Sequence, residues 1–130
     1  MSLLKNCKLY TLKFALIFGA MALATGQASA APALAIFDGF VAYDSVKASK
    51  LDEAQSEVDA VLSSKATSGD LNNICVVYAL SKNYVAAESS CSDAITKAKG
   101  ETVSRKTLRT MRSNLKIVSE YLQDYSSTAD

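Results

Sequence analysis

Apolar residues recur at helical spacing from Phe37 to Tyr125, divided by short polar breaks. Phe37, Phe40 and Val41 open a first helix, predicted to run to about Ser49. Leu51, Ala54, Val58, Val61 and Leu62 define the inner face of a second, ending near Ser64. Ser49 and Asp52 stand three residues apart, as hydroxyl and carboxylate do in a capping box at a helix start. Residues 63–69 (SSKATSG) read as a loop, with Asp70 the N-cap of a third helix. That helix carries Leu71, Ile74, Cys75 and Tyr78 at i, i+3, i+4 and i+7. Ser81 to Asn83 breaks it, and Val85, Ala87, Cys91, Ala94, Ile95 and Ala98 mark a fourth, closed by Gly100. A fifth is predicted over 102–125, where Leu108, Met111, Leu115, Val118, Leu122 and Tyr125 form one apolar stripe. The stripe is expected to pack on the other helices, with a coiled-coil seam to a second copy as the alternative. Residues 31–36 (APALAI) read as a loose leader and 126–130 as a frayed tail.

Composition sharpens this all-α reading. Of 130 residues, 49% are apolar and 21% charged, enough apolar surface to offset ordering entropy and exclude disorder for most of the chain. Pro32 is the only proline, whereas an all-β chain would need many turn residues. The absence of His removes His general bases, Ser-His and Cys-His nucleophile pairs, and every His-containing zinc site. Asp52 and Glu53 are adjacent on a helix and point apart, while Glu53 and Glu57, four apart, read as solvated surface acids. No Gly-rich phosphate loop or Cys-x-x-Cys pair occurs. The expectation is a non-enzymatic protein with no metal or cofactor.

Residues 1–30 hold Lys5, Lys8 and Lys13 but no acid, then the apolar run Phe14–Leu23, then Ala28-Ser29-Ala30. This is the pattern of a cleaved secretory signal peptide, and the run is short for a bilayer-spanning helix of about 20 residues. The expected product is a 31–130 domain in a periplasm or outside the cell. Cleavage changes the formal charge from +1 to −2, split between −5 over 31–93 and +3 over 94–130. It also leaves two of three cysteines, the even count that a disulfide needs in an oxidising compartment.

The stretch Asn73–Ile95, NICVVYALSKNYVAAESSCSDAI, resembles a tetratricopeptide repeat, the helix-turn-helix unit of about 34 residues. Ile74, Tyr78, Tyr84, Ala87 and Ala94 fall at its signature positions, with Cys75 at a small position and Cys91 at an aromatic one. Ala54 precedes Ala87 by 33 residues, which suggests an earlier, more degenerate unit. The implied fold is two hairpins over 37–98 with the helix over 102–125 as a cap; a generic Ala-rich bundle is the alternative. The resemblance implies a binding surface rather than a reactive centre. It places Asn72, Val76, Ala79 and Leu80 on the concave side, where three apolar residues argue against a carboxylate clamp and for plain core, covered by the last helix or a second subunit. It also sets Cys75 and Cys91 at facing positions of one hairpin, within reach of a disulfide, although two buried free thiols would suit the same sites.

Arg105, Arg109, Arg112 and Lys116 project along one line of the last helix, away from the apolar stripe. Without interleaved aromatics in an exported chain, nucleic acid is not expected. A solvated face paired to the acidic 31–93 half is the plain reading; weak contact with an anionic membrane or surface polymer is the alternative. Two functions follow: an interaction module or assembly adaptor for an unidentified protein partner or for self-association, or a helical envelope protein that uses the basic stripe.

Overall fold

The structure, a computed structural model, describes residues 33–61 and 64–129. The signal-peptide reading of residues 1–30 lies outside them. Every regular element among the described residues is helical: α1 (Tyr43–Lys47), α2 (Leu51–Ala60), α3 (Ser68–Leu80), α4 (Tyr84–Ala98) and α5 (Arg105–Thr128).

The first predicted helix is shortened to α1 because the chain bends before it. Gly39 (φ 80°) and Ala42 (φ 59°) both adopt left-handed conformations, which a continuous helix over 37–49 does not permit. Ala42 holds this conformation while buried at 1% exposure, with its N–H donated to Glu57 at 3.0 Å. The Ser45 hydroxyl also bonds to Glu57, so that this carboxylate ties the start of α1 to α2 rather than facing only solvent. Ser49 is itself left-handed (φ 58°), and α2 starts at Leu51 behind Lys50 without a side-chain cap, so the capping box expected at Ser49 and Asp52 does not form. The extended Val61 ends α2 before the predicted Ser64.

A capping box does form one element later. Thr67 is the N-cap of α3; its hydroxyl accepts from the Asp70 N–H at 3.2 Å, and the Asp70 carboxylate accepts from the Thr67 N–H at 2.9 Å. Asp70 is thus the third residue of the helix and not its cap. Ser68 and Gly69 move from the predicted loop into the first turn. Gly69 has a packing role there: the Phe40 ring lies where a Cβ would stand. α3 is the central element, with Asn72–Val77 and Ala79 all buried.

α3 and α4 form an antiparallel hairpin across the turn Ser81–Asn83, where Lys82 takes the left-handed conformation (φ 60°) and Asn83 caps α4 by accepting from Ala86 N–H. Cys75 and Cys91 are bonded across it, with Cα atoms 5.2 Å apart. Ala87, Ala94 and Ala98 keep α4 close to its neighbours, each at 2% exposure or less. Ser104 caps α5, which is displaced to Arg105–Thr128 from the predicted 102–125. Its stripe packs mainly on α4 and in part on α3: Met111 joins Ala94 and Ala98, and Val118 joins Cys75, Ala79, Ala87 and Cys91. No helix among the described residues is long and apolar enough to cross a membrane.

Candidate binding surfaces

The segment 33–37 is no loose leader. It runs without helix or strand over α3 and α5, and Leu34 packs against the cluster around the disulfide. Two asparagine side chains pair with its main chain as a neighbouring strand would. The Asn114 amide accepts from Ala35 N–H at 2.9 Å and donates to Ala35 C=O at 2.7 Å. Two residues on, the Asn73 amide accepts from Phe37 N–H at 2.8 Å and donates to Phe37 C=O at 2.9 Å. In an extended chain the N–H and C=O groups of residues i and i+2 face the same side, so both asparagines address one edge of the segment. Asn72 locks the pair, donating to Ala35 C=O at 3.0 Å and accepting from Asn114 at 2.9 Å. Asn73 also donates to Val41 C=O at 3.0 Å. Asn72, Asn73 and Asn114 are 0–1% exposed, and no buried side-chain polar atom among the described residues lacks a partner.

This changes the meaning of the predicted concave set. Asn72, Val76 and Ala79 are buried, while Leu80 is 47% exposed and lies outside the covered region. The cover is α5 together with the chain's own residues 33–37. Sequence reasoning missed Asn73 and Asn114. Asn114 stands three residues after Met111 and four before Val118, on the buried side of the stripe, and Asn72-Asn73 introduce the apolar run ICVV. A polar residue at a core position of a helix was the available signal.

Of the repeat-signature residues, Ile74, Ala87 and Ala94 are buried, and Tyr78 and Tyr84 are half-buried. Tyr84 meets Tyr121 and Tyr125 of α5, with ring centroids 5.7 and 5.9 Å apart. Tyr125 is itself 61% exposed and Val85 70%. Tyr84, Val85, Leu122 and Tyr125, with Ser81, Lys82 and Asn83, line a hollow of about 340 Å³ at the turn end of the hairpin.

The basic stripe faces solvent as expected: Arg105, Arg109, Arg112 and Lys116 are all exposed. Its pairing differs. Lys116 meets Glu120 of its own helix at 3.8 Å, and among the described residues no ion pair joins the stripe to the acidic half. Charge does act around Asp70. Burial works to raise its pKa, but hydrogen bonds from the N–H groups of Thr67 and Val41 and the Thr67 hydroxyl, with the Lys97 charge, outweigh it and hold the carboxyl below its ordinary value. Lys97 itself donates to Ala66 C=O, and Glu101 accepts from the Ser68 hydroxyl at 2.5 Å, so both charges tie α4 and the turn after it to the start of α3. No group of three or more His, Cys, Asp or Glu side chains among the described residues is placed to hold a metal ion.

Comparisons with protein-family profiles, curated proteins and solved structures return no match.

Proposed function

We propose that this chain is an exported, non-enzymatic interaction module whose α3–α4 hairpin works as a tetratricopeptide-like unit and docks a protein partner. The observation that carries the reading is the patch at the hairpin turn, where Val85 and Tyr125 stand 70% and 61% exposed beside the Tyr84–Tyr121 pair. Large apolar side chains gathered on the surface of a small domain mark contact sites, and tyrosine is enriched where binding energy concentrates. The Cys75–Cys91 bond supports the export part, since such bonds persist in oxidising compartments. A photo-crosslinker at Val85, used in the source cells, tests the reading: one defined protein is trapped, and Tyr84→Ser with Tyr125→Ser removes the product without changing secretion. Crosslinks to many unrelated proteins, or a product that survives both substitutions, contradict it.

The alternative is an anionic membrane or envelope polymer bound through α5. The observation favouring it is that Arg105, Arg109 and Arg112 are exposed and make no ion pair among the described residues. It requires co-sedimentation with anionic vesicles at low salt, lost at high salt, and unaffected by the tyrosine substitutions.

A further inference from the structure

We propose that this chain associates head to tail with itself: the basic line Arg105, Arg109, Arg112 and Lys116 of α5 docks on the acidic outer face of α2 in a second copy. The proposal uses residues separate from the tyrosine patch and does not rest on it.

The starting observation is a local conflict in α5. Residues 105–116 hold five basic side chains and no acid. Arg105 with Arg109, Arg109 with Arg112 and Arg112 with Lys116 are like-charge pairs at i,i+4 or i,i+3, which weaken a helix. Arg105 and Lys106 also stand in the first turn, at the positive end of the helix dipole, with no acid there to offset them. Among the described residues only Lys116 of the line meets a carboxylate, that of Glu120 on the same helix. A row of exposed cations that its own helix resists, and that no other element relieves, points to an anionic partner.

The chain itself carries the complementary surface. α2 holds Asp52, Glu53, Glu57 and Asp59 and no basic residue, and all four acids are exposed. Glu53 is paired with Lys50 at 3.0 Å, and Glu57 is engaged by Ala42 and Ser45. Asp59 accepts only from the neutral Gln55 amide, at 2.9 Å, so Asp52 and Asp59 meet no cation among the described residues. These two stand seven residues apart, as do Arg105 and Arg112, and Arg109 and Lys116. Seven residues make two turns, return to the same face and span about 10 Å along either helix, so the two rows match in spacing. Ser56 and Ala60, exposed on the same side of α2, are small enough for another helix to come close. The two faces belong to different parts of the helix stack, since α2 packs on α1 and α3 and α5 packs chiefly on α4. Each copy therefore offers both halves of the contact, and a contact between unlike faces continues into a ring or an open chain. An anionic lipid surface would satisfy the arginines but gives no reason for the matching two-turn spacing on α2. Exposed ion pairs are individually weak and screened by salt, so the contact forms at high protein concentration and low ionic strength.

The test is sedimentation velocity of the protein from its source cells over a range of concentrations, with a charge-swap pair of variants. At low salt the average mass should rise with concentration beyond that of a dimer, and it should return to the monomer's at about 0.5 M salt. Arg109→Glu with Arg112→Glu should raise the concentration needed for assembly at least tenfold, and so should Asp52→Lys with Asp59→Lys. Mixing the two variants should restore assembly, because each supplies the charge that the other has reversed, and this rescue also shows that both are folded. A monomer at every concentration in low salt overturns the proposal, as does assembly that persists in both variants or a mixture that stays monomeric. Binding of the unaltered monomer to anionic phosphatidylglycerol vesicles, without self-association, would make the partner of the line a lipid surface and overturns the assignment to a second copy.

Discussion

Asn73 makes four hydrogen bonds through one buried amide, accepting from the N–H of Phe37 and, at 3.5 Å, from Asn72, and donating to the C=O groups of Phe37 and Val41. Each is worth about 1 kcal/mol net, and a buried group left without a partner costs about 1–3 kcal/mol. Asn73→Ala should therefore destabilise the domain by about 2–3 kcal/mol in urea titration, while an exposed control such as Arg109→Ala stays within about 0.5 kcal/mol. Asp70 carries the pH dependence. Its folded pKa is depressed, so its contribution is fully present above the unfolded value of about 3.9 and is lost as pH falls through the lower folded value. Urea midpoints followed from pH 6 to about pH 2.5 should fall less steeply in Asp70→Asn than in the unaltered chain; parallel curves would contradict this. The asparagine roles are not visible locally in the sequence, because Asn73 and Asn114 bond to main chain 36 and 79 residues away; that of Asp70 is half visible, since Thr67 stands three residues before it and only Val41 is distant.

At the scale of elements, the sequence marked where apolar faces lie better than where helices begin. The spacing of Leu71, Ile74, Cys75 and Tyr78 located α3, and the stripe from Leu108 located α5. The predicted helix over 37–49 failed because Gly39 and Ala42 are left-handed, and Ala42 is held so by Glu57, fifteen residues on. Gly69 reads as a loop residue for its freedom but stands in α3 to make room for Phe40. The cysteine pair was legible from the facing positions of the hairpin, and the bond there closes a loop with a sequence separation of 16. Loops of that size restrict the unfolded chain by about 3 kcal/mol. Cys75→Ser with Cys91→Ser should then lower Tm by about 15 °C in a domain of this size. Mass spectrometry of the protein from its source cells, alkylated in denaturant, should show neither Cys75 nor Cys91 modified until reductant is added.

At the scale of the whole described domain, the segment 33–37, the hairpin and the last helix meet at one polar point, the triad of Asn72, Asn114 and Ala35. Hydrophobic pattern could not reveal it, since Leu34 and Ile36 alternate with alanines as in an unattached tail. Only the folded arrangement makes the alternation meaningful. Ala35 and Phe37 give their N–H groups to Asn114 and Asn73, while those of Leu34 and Ile36 bond to no described residue. Residue-resolved amide exchange of the native protein tests this most directly. The account predicts slow exchange at Ala35 and Phe37 and fast exchange at Leu34 and Ile36, with Asn114→Ala releasing Ala35 and Asn73→Ala releasing Phe37. Uniform fast exchange across 34–37, or protection that survives both substitutions, would contradict it.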